Sequence, residues 1–182
     1  MKLLRTIRLD TSDTFVFAAA AGPGEWAVSG AFVFWQKDPA TLDGKARAAF
    51  RSGFLGVGSL GWSTLVQVVE ASAADRTQLV ELLAGQLSRH FGAPTPAAAK
   101  AAAEEEVAFA QSLCSIPAGS VVAVHRAYED GAVRESFRTL RPREGAKPER
   151  VFSFLEVEGE DEPSGASDEA IDLAALAERE RK

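Results

Sequence analysis

The dipeptide Asp130-Gly131 constrains this chain more than any other feature, because it sits between two β-prone runs, "SVVAVHRAY" and "AVRESFRTL". An Asp-Gly pair accepts the positive φ angles of a tight hairpin turn, so the two runs are predicted to pair antiparallel. With these two residues as the loop, one face carries Val122, Val124, Arg126 and Tyr128 opposite Thr139, Phe137, Glu135 and Val133. The other carries Val121, Ala123, His125 and Ala127 opposite Leu140, Arg138, Ser136 and Arg134. His125 then faces Ser136 and lies diagonally between Arg134 and Arg138.

The rest of the chain is read around that hairpin. "LLRTIRL" and "TFVFA" are β-prone, with the turn formers of "DTSD" between them. "EWAVSGAFVFW" alternates with apolar residues on both faces, which predicts a central strand covered on both sides. "TLDGKARAAFRS" reads as a short helix stopped by Gly53, and "WSTLVQVVEA" as a strand. Ser72 with Asp75 has the Ser-x-x-acid form of a helix start. Leu79, Leu83 and Leu87 then recur at helical spacing up to Gly92. Thr95-Pro96 opens a further helix that runs to about Cys114, Ala-rich and expected to be largely exposed. "RVFSFLEVE" is a last strand. The order is β-rich, then α, then β, which predicts an α+β domain with a mostly antiparallel sheet and about three helices.

Charge separates a body from a tail. Residues 156–182 hold ten acidic and three basic side chains, while residues 1–155 are almost neutral. Residues 1–158 are therefore expected to form one domain. Residues 159–182 are expected to be an acidic disordered tail, with a short helix over 168–178 presenting Ile171, Leu173 and Leu176 to a partner. Neither part has the basic excess of a nucleic-acid binder. No apolar run is long enough for a membrane span or a signal peptide. With Cys114 as the single cysteine, a cytoplasmic location is expected.

Several motifs invite chemistry and fall short of it. "GVGSLG" (56–61) has the Gly-x-Gly-x-x-Gly spacing of a dinucleotide loop. That loop needs a strand before it and a helix after it. Here a helix precedes and a strand follows, so a helix-to-strand connection that binds no nucleotide is predicted. Two histidines and one cysteine do not assemble a structural zinc site, and no cofactor is expected. His90 suits a helix C-terminus, and Cys114 reads as a small buried hydrophobe. Glu104, Glu105 and Glu106 read as a solvated helix face.

Two surfaces remain as candidates. His125, Arg134, Ser136 and Arg138 share a hairpin face that suits a small anion. Trp35 and Trp62 stand at strand edges, where they suit a pocket or a partner surface.

The segments "LLRTIRLDTSDTFVF", "EWAVSGAFVFW", "ARAAFRSGFLGVGSLGWSTLVQVVEA" and "FRTLRPRE" resemble a small uncharacterised bacterial family, a domain of unknown function, over roughly residues 1–144. The resemblance carries no catalytic residue or cofactor. It implies an accessory role beside redox or cofactor-attachment systems. The function expected is thus a non-catalytic accessory or adaptor protein engaging another protein. The alternative is a binder of, or enzyme acting on, a small anionic ligand at the His125/Arg134/Arg138 face.

Overall fold

A computed structural model of the chain describes residues 1–35, 37–129, 131–142 and 155–158; for residues 141–142 and 155–158 it describes the backbone alone. The fold is α+β, built on one antiparallel sheet. Its strands are β1 (Lys2–Ile7), β2 (Trp26–Val28), β3 (Phe54–Gly56), β4 (Trp62–Ser63), β5 (Leu65–Glu70), β6 (Val121–Glu129), β7 (Ala132–Pro142) and β8 (Leu155–Glu158). They lie in the order β4-β3-β2-β1-β5-β6-β7-β8. Among the described residues four α-helices accompany them: α1 (Ser12–Val16), α2 (Gly44–Ser52), α3 (Ala73–His90) and α4 (Pro96–Ser112).

The β6–β7 register is the one the Asp-Gly turn predicts, with Val122 opposite Thr139, His125 opposite Ser136 and Arg126 opposite Glu135. Leu4 pairs with Val68, Thr6 with Val66, and Val66 with Val122. One face of these strands therefore collects Leu4, Thr6, Val66, Val68, Val122 and Val124, all buried. Period-two alternation sends this set to the core together. Arg126 lies on that same face and is 1% exposed.

Both long helices start where the sequence says. Ser72 accepts from the Asp75 amide while Asp75 accepts from the Ser72 amide, a complete capping box. Thr95 caps α4, with Pro96 following it. Gly92, at φ +68°, ends the α3 segment. α4 is largely exposed as expected, with ten of its seventeen residues at the surface, while Ala99, Ala103, Val107 and Ala110 are buried along one stripe. Small side chains let α4 pack close along that stripe. Cys114 is buried as expected, its Sγ 3.4 Å from the Ala110 carbonyl, and burial pushes the thiol up to about 11.

Three expectations need correction. The predicted central strand over "EWAVSGAFVFW" ends at Val28, and Ala31–Phe34 form a 3₁₀ turn. Gly30 explains this: its φ is +77°, and a Cβ there would stand 2.6 Å from Leu55 Cβ. A left-handed residue cannot continue a strand. "TFVFA" is not a strand either, because most of it lies in α1. Asp13 of α1 turns inward, accepting from Thr64 Oγ1 at 2.6 Å and from Ser63 Oγ at 3.3 Å. Finally, residues 53–61 do not join a helix to a strand. α2 stops at Ser52, and the glycine loop links strand β3 to strand β4. Of the last predicted strand, Leu155–Glu158 is β8, antiparallel to β7. Residues 151–154 and the proposed tail, with Ile171, Leu173 and Leu176, lie outside the described residues.

Candidate functional site

Trp35 follows the 3₁₀ turn and is 87% exposed, which is unusual for the largest apolar side chain. It stands between two concave surfaces. The larger cleft, about 990 Å³, is lined by the 3₁₀ segment (Phe32, Val33, Trp35), the α3–α4 connection (Phe91 to Pro94) and α4 (Ala98, Ala102, Glu105, Glu106, Phe109). The smaller, about 490 Å³, runs from Phe32, Phe34 and Trp35 to Tyr128 and Val133 of the hairpin. Phe32, Trp35 and Lys37 belong to both. Phe91, Phe109 and Tyr128 are themselves exposed at these walls.

The walls are held by aromatic contacts. Phe32 meets Phe91 edge-on with centroids 5.2 Å apart. Phe109 meets Phe137 of β7 at 5.8 Å, also edge-on. Such geometries are the favoured ones for ring pairs and fix both rings. On α4, Ala98, Ala102, Glu105 and Phe109 recur at helical spacing, so one helix stripe faces the cleft beside the buried stripe.

Behind the cleft lies a buried polar network. Arg126 Nε donates to Glu135 Oε1 at 2.6 Å. Its Nη1 donates to the carbonyls of Phe50 (3.1 Å) and Gly53 (2.7 Å), at the end of α2. Its Nη2 donates to the Ser29 carbonyl and to Ser29 Oγ. Ser29 Oγ donates to Glu135 Oε1 at 2.5 Å. One residue further on, the Gly30 amide donates to Glu106 Oε1 at 2.9 Å. Burial pulls the Arg126 pKa down, and the adjoining Glu135 opposes that shift. Burial raises the Glu106 pKa; the Gly30 amide counteracts it, Glu135 adds to it and Arg126 opposes it. The network thus ties α2, the strand β2 exit, α4 and the β6–β7 hairpin around the floor of the cleft.

The glycine loop is filled by its own chain. Glu25 Oε2 accepts from the Ser59 amide at 2.8 Å, and Glu25 Oε1 accepts from the Gly22 amide at 2.5 Å. Gly61 packs against the backbone of Ala20 and Ala21, where a Cβ would come within 2.6 Å. The glycines serve close packing, and a carboxylate already occupies the loop amide that would otherwise attract an anion.

The sequence-predicted residues separate into distinct places. Trp35 is on the surface. Trp62 is in the core, 9% exposed, its ring 5.3 Å from that of Phe34, so it offers nothing to a partner. His125, Arg134, Ser136 and Arg138 do share one hairpin face, and all four are exposed. Arg134 Nε lies 3.3 Å from Glu129 Oε2. None of the four lines either cleft. Glu106 is not on a solvated face as expected, but half-buried at the cleft floor. The sequence held two signals for the site. One was the α4 stripe ending in Phe109. The other was the Arg126–Glu135 pair on an otherwise apolar hairpin face.

Among the described residues no three His, Cys, Asp or Glu side chains are grouped to hold a metal ion, and no helix is long and apolar enough to cross a membrane. What fold and surface define is an antiparallel α+β domain with an exposed tryptophan between two aromatic clefts. More particularly, residues 1–152 match the family of unknown function DUF6505, and the chain belongs to that family. No curated protein and no solved structure matches it.

Proposed function

We propose that the protein is a cytoplasmic, non-catalytic accessory or adaptor protein that engages another protein through the Trp35 surface. The observation that carries this reading is Trp35 itself, 87% exposed with an apolar concavity on either side. Tryptophan is the residue most enriched among those that dominate protein–protein binding energy, and flanking pockets suit side chains from a partner. Exposed Phe91, Phe109 and Tyr128 extend the apolar surface around it. The setting inferred for it is a bacterial redox or cofactor-attachment system.

Capture from the native host tests this. The full chain and its Trp35→Ala variant are compared, with Phe15→Ala as control. Phe15 is 73% exposed on α1 and lines neither cleft. Wild type and Phe15→Ala are expected to retain the same partner and Trp35→Ala to lose it. Equal recovery by all three overturns the reading.

The second reading is a small anion at the hairpin. It is favoured by the register that places His125, Arg134 and Arg138 on one exposed face. Its cost is the Glu129 carboxylate already beside Arg134 and the absence of these residues from both clefts.

A further inference from the structure

The larger cleft has a distribution of charge that its aromatic walls alone do not explain. Four titratable side chains line it: Lys37, His90, Glu105 and Glu106. The first three are exposed at the rim, where solvent screens them. Glu106 alone is withdrawn from solvent. The nearest buried cation, Arg126, is committed elsewhere: its Nε is on Glu135, and both terminal nitrogens are on carbonyls and the Ser29 hydroxyl. Glu106 keeps one hydrogen bond among the described residues, from the Gly30 amide to Oε1. Burial raises its pKa, and the charge of Arg126 only opposes that shift. Phe32, Trp35, Phe91 and Phe109 line the same cleft. Ring faces attract cations, and a carboxylate in an aromatic-lined cleft adds direct charge pairing. Phe32, Phe91 and Phe109 are already held in edge-on pairs, so a ligand need not order them.

We propose that this cleft binds a small organic ammonium ligand, its apolar body against Phe32, Phe91 and Phe109 and its cationic nitrogen at Glu106. The proposal goes beyond protein docking and does not rest on it. Ammonium binding favours ionised Glu106, so affinity falls as acidification protonates that carboxyl. Glu105, His90 and Lys37 line the same cleft from its exposed rim, so variants there serve as controls.

The test uses three probes that share a phenylethyl body, applied to the full chain and followed by amide NMR shifts: 2-phenylethylammonium, 2-phenylethanol and 3-phenylpropanoate. The ammonium is expected to bind about tenfold more tightly than the alcohol, the scale of one charge-assisted hydrogen bond to the Glu106 carboxylate. The carboxylate is expected to bind weakest. Shifts are expected at Phe32, Phe91 and Phe109. Glu106→Gln keeps an acceptor for the Gly30 amide and is expected to bind ammonium and alcohol equally. Lys37→Gln and Glu105→Gln are expected to keep the preference. Ala102→Phe, which narrows the cleft without touching Gly30, is expected to bind none of the probes. Equal binding of ammonium and alcohol by wild type overturns the proposal. So do a preference that survives Glu106→Gln, shifts outside the cleft, or no binding of any probe. Tyr128→Ala, whose side chain lines the smaller cleft alone, is expected to leave ammonium binding unchanged, which separates this site from the docking surface.

Discussion

Arg126 has more at stake than any other single residue. It is 1% exposed, and its charge is matched by Glu135 and three backbone carbonyls. Removing one partner of a buried pair leaves the other desolvated and unmatched, so Arg126→Ala is expected to cost about 3–5 kcal/mol in urea unfolding. A loss below about 1 kcal/mol would show that water reaches Glu135 freely. Glu106 has the opposite sign. Burial puts its folded pKa above the unfolded one, so its favourable contribution is present below the ordinary glutamate range and is lost as pH rises through the raised value. Glu106→Gln should therefore raise the melting temperature at neutral pH relative to wild type and give no gain at pH 3. A gain that is the same at both pH values would contradict this. Of the two, Glu106 was misjudged as solvated, whereas no environment was assigned to Arg126. Arg126 was placed on the right hairpin face, but the carbonyls it binds come from Ser29, Phe50 and Gly53, distant in sequence. Glu106 sat in an acidic run that looks solvated until Gly30 is brought beneath it.

At the scale of elements, what the sequence encodes locally is found where it points. The Asp-Gly turn fixes the β6–β7 register, and Ser72 and Thr95 begin α3 and α4. Each depends on residues within a few positions of one another. What was missed depends on distant packing. "TFVFA" has strand-like residues, yet Asp13 anchors that segment as a helix through Ser63 and Thr64. "EWAVSGAFVFW" alternates without interruption, yet Leu55 and Trp62 leave no room for a side chain at position 30. Gly30 thus creates the 3₁₀ turn that displays Trp35. Gly30→Ala is expected to cost about 1–2 kcal/mol for the left-handed backbone and more for the clash with Leu55. Gly92→Ala, at φ +68° with open space around it, should cost the backbone part alone. Chemical denaturation of the two variants compares them directly, and equal losses would mean that the Leu55 contact relaxes without penalty.

For the whole molecule, the network from α2 to α4 and the hairpin acts as a frame. It lies under a surface on which Trp35 stands away from the core while its neighbours Phe32 and Phe34 pack inward. A frame of that kind holds binding residues in place with little ordering left to be done on association. The residues that carry polar chemistry, by contrast, are turned to internal structure: Asp13 to Thr64, Glu25 to the glycine loop, and Arg126 to backbone carbonyls. The most direct test places a photo-crosslinking amino acid at position 35 of the full chain in the native host, with position 138 on the exposed hairpin face as the comparison. Docking through the Trp35 surface predicts one defined protein adduct from position 35 and none from position 138. An adduct from position 138 with none from position 35 would contradict it.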